Sequence, residues 1–184
     1  MNITLTPRQL AVLDFFKTVA IALAIILPIR FFIAQPFYVR GSSMEPNFHD
    51  FEYLFTEEVS YYFHAPVRGD VVVLKNPQDE SEYFIKRIIG IPGEHVEVRE
   101  KTVYINDVQL DESAYLAEDV DTWGSVDVTL GADQYFVMGD NRGVSLDSRV
   151  FGPLNRTEIV GRAWIRIFPF SRIAHFSEIN YPSN

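Results

Sequence analysis

The sequence predicts a mainly β protein: one compact antiparallel β domain carried on a single N-terminal transmembrane helix. Three observations predict it. A charge-free apolar run, Thr18 to Ile29, lies near the N-terminus. From Val39 onward, short β-branched stretches alternate with turn formers, and no convincing helical stretch follows. The 184 residues, 47% hydrophobic and 14% aromatic, suffice for one core plus one membrane segment.

Composition removes several function classes. A net charge of −9 argues against nucleic acid, because phosphate binding needs a basic face. The absence of cysteine rules out disulfides and thiolate metal sites. His49, His64, His95 and His175 are scattered, with no His-x-x-x-His pair, so the reading expects no metal.

Residues 1–14 read as a short N-terminal tail and 15–37 as the anchor. The charge-free run alone is too short to span, but Phe15 to Phe37 gives about 35 Å of helix. Lys17 and Arg30 near the ends can snorkel to the headgroups. Phe31, Phe32, Phe37 and Tyr38 then form an aromatic belt. A cleaved signal peptide would need a small residue where bulky Phe32 stands, and a buried soluble helix is the other competing reading. Flanking charges do not orient the segment, since Arg8 and Lys17 oppose Arg30 and Arg40.

Residues 38–176 form the β domain, with 177–184 a C-terminal tail. Strands are expected at 70–74, closed by Asn76-Pro77, and at 83–91, closed by Pro92-Gly93. Further strands are expected at 95–98, 102–105, 108–110, 134–138 and 159–168, with a tight turn at Asn106-Asp107. Residues 107–127 carry seven acids and read as an exposed loop or lip.

Chemistry points first to lysine. Of the four lysines, Lys17 belongs to the anchor, while Lys75 and Lys101 sit beside turns and should stay solvated. Lys86 shares a strand face with Phe84 and Ile88, which desolvate it and disfavour its ammonium form. A neutral lysine can act as general base toward a serine hydroxyl. A strand-edge lysine that snorkels is the plainer alternative. A serine is available in Gly41-Ser42-Ser43-Met44-Glu45-Pro46, a small-residue turn closed by proline. The turn alone does not choose between Ser42 and Ser43. A third stretch, Met138 to Arg149, begins with the turn formers Gly139-Asp140-Asn141 and places Ser145, Asp147 and Arg149 in alternation. There Asp147 and Arg149 can form a charge-assisted pair, catalytic support or an ordinary surface ion pair.

With these stretches in order, the chain resembles bacterial type I signal peptidases from the anchor to about Phe168. Gly41 to Pro46 is similar to the family's serine box, and Tyr83 to Gly93 to its lysine box, preceded by Arg68-Gly69-Asp70-Val71-Val72-Val73. Gly139 to Arg149 is similar to its last box, with Gly143-Val144 in place of a more polar pair. The resemblance implies the signal-peptidase/LexA-like β fold, Ser43 as nucleophile and Lys86 as general base. It implies that Ser145 hydrogen-bonds Lys86 and that Asp147 and Arg149 support the site. Gly41 stands where many relatives carry a serine that donates to the oxyanion, so the second donor must be another group. Phe37, Val39, Met44, Phe48, Phe84 and Ile85 flank the two catalytic residues and are candidates for shallow substrate pockets. The substrate implied is a preprotein signal peptide cut after small residues, with no cofactor or metal. The location implied is the cytoplasmic membrane, single-pass, with the catalytic domain on the extracytoplasmic side of the lipid bilayer. A self-cleaving repressor-type Ser–Lys peptidase and a non-catalytic tethered β domain that binds partners are the competing readings.

Overall fold

The computed structural model describes residues 6–28, 35–177, 179 and 181. Helix α1 runs Pro7–Pro28, is exposed from Pro7 to Leu27, and over that stretch is long and apolar enough to cross a membrane. Its start is written in Thr6-Pro7-Arg8-Gln9. The Thr6 N–H donates to Gln9 Oε1 at 2.9 Å, the Gln9 N–H donates back to Thr6 Oγ1 at 3.4 Å, and proline takes the first helical position. The expected span of 15–37 is therefore corrected at both ends. No helix breaker separates Pro7 from Lys17, so the helix begins in the expected tail. Phe37 and Tyr38 are strand residues, in β1 (Gln35–Tyr38). Arg30, Phe31 and Phe32 lie outside the described residues.

The β domain holds two antiparallel sheets. The larger is built from β1, β2 (Tyr53–Glu57), β3 (Val71–Asn76), β4 (Asp79–Gly90), β9 (Gln134–Met138), β10 (Leu154–Asn155), β11 (Ile159–Phe168) and β12 (Ala174–His175). Its order is β1-β2-β11-β3-β4-β9-β10, with β12 pairing off β11. The smaller sheet, β7-β6-β5-β8, comprises β5 (His95–Arg99), β6 (Thr102–Ile105), β7 (Val108–Gln109) and β8 (Val126–Thr129). The Asn106-Asp107 turn between β6 and β7 has φ of 50° and 66°, the left-handed pair of a tight hairpin. A four-residue helix, α2 (Ser148–Phe151), precedes β10.

Strand β4 organises the interior because its two faces enter different cores. Ile88 and Phe84 pack with Val72, Leu74, Val137 and Leu154. On the other face Ile89 joins Val96, Val98, Val103 and Phe136 beneath the small sheet, while Ile85 packs on Val39, Met44, Phe48 and Leu54. The period-two reading of residues 84–89 is thus realised in three dimensions.

One expectation about loose segments holds in part and another is corrected. Residues 107–127 are mostly exposed, as expected, but contain β7 and β8, and two of their acids are paired: Glu112 with Arg142 at 2.5 Å and Asp121 with Lys101 at 2.8 Å. Tyr115 and Leu116 are buried in the same stretch, apolar anchors that override its acidic composition. In the expected C-terminal tail, Ile179 and Tyr181 pack against the core under the small sheet.

Candidate active site

Ser43 stands in the turn between β1 and β2. Backbone bonds from Val39 N to Glu52 O at 2.8 Å and from Phe51 N to Val39 O at 3.1 Å close the base of this loop. Inside it Phe48 N donates to Met44 O at 2.9 Å, one helical turn that puts both side chains in the core. Met44 and Phe48 are therefore not substrate-facing. They are almost wholly buried and root the loop that presents Ser43. The sequence reading missed this because four-residue spacing in a short turn gives no period to detect.

Lys86 reaches Ser43 from β4. Its Nζ lies 2.8 Å from Ser43 Oγ and 2.9 Å from Ile85 O, and 5.2 Å from the centre of the Phe84 ring. Only 3% of the residue is exposed. Burial lowers its pKa to about 8, against the pull of the Asp147 and Asp140 carboxylates. Lys75 and Lys101 behave as expected, exposed beside Glu80 and Asp121. Ser42 faces solvent, and its carbonyl accepts from Asn141 Nδ2 at 3.1 Å.

The stretch 139–149 closes over this pair. Asn141 N donates to Ser43 O at 3.0 Å. Gly139 is obligatory, since a Cβ there would stand 2.2 Å from Ser145 Oγ and 2.4 Å from Ser43 O. The Asp147–Arg149 pair forms, with Arg149 Nε donating to Oδ1 and Nη2 to Oδ2, each at 2.8 Å. Asp147 also caps α2 and accepts from Gly139 N at 3.0 Å. Burial would raise its carboxyl pKa, but Arg149 and the Gly139 N–H outweigh burial and hold it below the usual range. The expected bond from Ser145 to Lys86 is not made. Ser145 Oγ is buried and makes no bond to Lys86, which spends its reach on Ser43 and Ile85; its polar neighbour is instead the Asp147 carboxylate, whose pKa it helps to hold down.

Gly41 offers no side-chain donor. Its φ of +91° favours glycine, and its N–H is committed to Asp50 Oδ1 at 3.0 Å. A cleft of ≈ 90 Å³ opens beside Ser43 and Lys86. Phe37, Val39, Phe84 and Ile85 line it as expected, together with Leu54, Val73 and Tyr83. Phe37 of β1 meets Tyr83 of β4 edge-on at 5.5 Å, so the large sheet curls enough to bring these strands together.

Sequence reasoning also missed the buried pair behind the site. Arg87 Nε and Nη2 donate to Asp140 Oδ1 and Oδ2 at 2.8 and 2.6 Å, and Asn47 Nδ2 donates to Asp140 Oδ2 at 2.8 Å. The only signal was an arginine next to Lys86 on the opposite strand face. Its acid lies more than fifty residues away.

Comparison with known proteins places these residues in context. A family model described as signal peptidase, peptidase S26, matches residues 12–168. The chain is 38% identical over 174 residues to a probable signal peptidase I-2 of Synechocystis sp., covering 91% of this chain and 78% of that protein. It is 38% identical over 180 residues to a signal peptidase I of Bacillus amyloliquefaciens, covering 91% and 94%. It is 37% identical over 171 residues to signal peptidase I T of Bacillus subtilis, covering 88% of each.

Proposed function

Because the chain belongs to the signal peptidase family, peptidase S26, we propose that Ser43 and Lys86 carry its reaction as a Ser–Lys dyad. The protein is a serine peptidase that removes signal peptides. The finer reading rests on one observation: the 2.8 Å contact between Ser43 Oγ and a lysine stripped of water.

With Lys86 neutral, the Ser43 hydroxyl donates to the Nζ lone pair, while an Nζ–H donates to Ile85 O. Nζ takes the proton as Oγ attacks the scissile carbonyl, and the Ser43 N–H stabilises the resulting oxyanion. Collapse of this intermediate gives an acyl-enzyme on Ser43 and the free amine of the mature protein, protonated from Lys86. Lys86 then deprotonates the water that hydrolyses the ester. Asp147 and Arg149 hold the Gly139 segment against the serine. The mechanism calls for no metal or cofactor.

The small cleft, walled by Phe37, Val39, Phe84 and Ile85, suits small side chains such as those of Ala-x-Ala sites. Helix α1 serves as a single-pass anchor in the lipid bilayer of the cytoplasmic membrane. The β domain sits on the extracytoplasmic side, where the cleavage site of an exported preprotein emerges.

Cleavage of an Ala-x-Ala preprotein in detergent tests the assignment. Ser43→Ala and Lys86→Ala should each abolish it, whereas Ser42→Ala and Lys75→Ala should retain it. Full activity in Lys86→Ala would sink the dyad. The rate should climb with pH along a limb near 8, as the neutral amine accumulates. A limb near 10.5 would mean a solvated lysine.

A further inference from the structure

We propose that His95, Glu97 and Asp107 form a binding site for a divalent transition-metal ion, with zinc the best match, on the small sheet outside the catalytic cleft. One potential ligand atom from each lies within 4.8 Å of the others. The scattered histidines gave no metal spacing along the chain, but this set needs only one of them.

The fold assembles the set from two segments and backs it with a third. His95 and Glu97 are two apart on β5 and so share a face. Asp107 returns over that face because the β6–β7 turn is fastened to His95. The His95 N–H donates to Asn106 Oδ1 at 2.9 Å, and the Asn106 N–H donates to His95 O at 2.9 Å. β8 supplies Asp127, whose Oδ1 is 2.9 Å from His95 Nε2. With the ring proton on Nε2 donated to that carboxylate, Nδ1 offers its lone pair to an ion, the usual carboxylate–histidine–metal arrangement; because Asp127 also raises the His95 pKa, the ion competes there with a proton.

Two further observations favour a cation here. Glu97 Oε2 is closed to solvent and accepts no hydrogen bond, its one charged neighbour being Arg99 Nε in a loose ion pair at 3.6 Å. Glu97 and Asp127 also stand directly opposite each other on β5 and β8, a like-charge pairing that disfavours the sheet. A divalent ion would relieve both. One imidazole nitrogen with two carboxylate oxygens favours zinc over calcium, which prefers six or more oxygens. Water would complete the tetrahedron. The ion would clamp β5, β8 and the β6–β7 turn, stabilising the small sheet without entering the chemistry at Ser43.

The test uses the full chain in detergent, stripped with chelator and titrated with zinc chloride by calorimetry and thermal unfolding. One zinc should bind per chain at micromolar concentration. At a hundredfold excess over Kd, the folded-to-unfolded ratio should rise about 100-fold. His95→Ala and Asp107→Asn should remove both effects, and Asp127→Asn should weaken binding about 10- to 100-fold. Preprotein cleavage should stay at the wild-type level in all three variants, which shows them folded. Undiminished zinc binding in His95→Ala, binding only at millimolar concentration, or an equal response to calcium would each overturn the proposal.

Discussion

Lys86 and Arg87 are consecutive residues of one strand, 3% and 5% exposed, and burial treats them in opposite ways. Arg87 turns to a face where Asp140 meets it with both oxygens, Gly69 O accepts from Nη1 at 2.9 Å and the Tyr115 ring lies 4.1 Å away. Burial would lower its pKa, but Asp140 more than compensates and the guanidinium stays charged. Lys86 finds only a hydroxyl and a carbonyl, so burial prevails and its pKa falls to about 8. What separates a structural cation from a reactive one is a carboxylate in contact, not depth. The paired side does the fastening: Asp140 links the 139–149 stretch to β4 through Arg87 and to the serine turn through Asn47. The reactive side is left short of partners, Lys86 without a counterion in contact and Ser145 Oγ with no well-formed bond, only the Asp147 carboxylate nearby.

The comparison breaks most visibly at Arg87. Arg87→Met strands a buried Asp140 carboxylate and should destabilise the protein by about 3–5 kcal/mol, read as a lower urea midpoint. Arg87→Met with Asp140→Leu should recover most of that, because the uncompensated charge is gone. A loss below about 1 kcal/mol in the single variant would show that the two faces do not differ as described.

Lys86 should respond with the opposite sign. Its folded pKa, about 8, lies below the ordinary 10.5, so between these values the unfolded chain binds the extra proton. Wild-type stability should therefore rise with pH across that window, and below it the fold carries a penalty of about 3 kcal/mol. Lys86→Met removes the group, so it should be more stable than wild type at neutral pH, by up to that amount, while losing cleavage. A wild-type stability that stays flat from pH 8 to 10.5 would contradict a desolvated lysine.

How much of this contrast the sequence carried depends on the range of the interaction. Lys86 was legible because Phe84 and Ile88 are two residues away on the same strand face. The long strands, the Asn106-Asp107 turn and the Asp147–Arg149 pair were legible for the same reason, since their partners are near neighbours. Strands β1, β2, β8, β10 and β12 are short and draw their pairing from distant segments, so their residues show little pattern. Met44 and Phe48 look like pocket residues because they flank Ser43, yet only the closed loop decides which way they point. Asp140 against Arg87, and Glu112 against Arg142, each need two segments brought together by the sheets. The helix start is a different case: Thr6-Pro7-Arg8-Gln9 spelled it out, and attention to the charge-free run drew the boundary too late.

Ser145 sharpens the comparison at its finest point. Its hydroxyl is buried beside Gly139, makes no well-formed hydrogen bond, and has the Asp147 carboxylate as its polar neighbour. Ser145→Ala should therefore change stability by less than about 0.5 kcal/mol, whereas removing a serine firmly bonded to the carboxylate would cost about 1.5–3 kcal/mol. Cleavage separates two accounts of the same atom. A Ser145 that only fills space against Gly139 predicts a loss of less than about 10-fold. A Ser145 that swings onto Lys86 once substrate excludes water predicts a loss nearer the 10²–10⁴-fold expected for disabling the general base itself. The ground-state geometry favours the smaller loss, because Nζ is already engaged by Ser43 and Ile85. A loss as large as that of Lys86→Met would show that the reactive face gains its missing bond only with substrate in place.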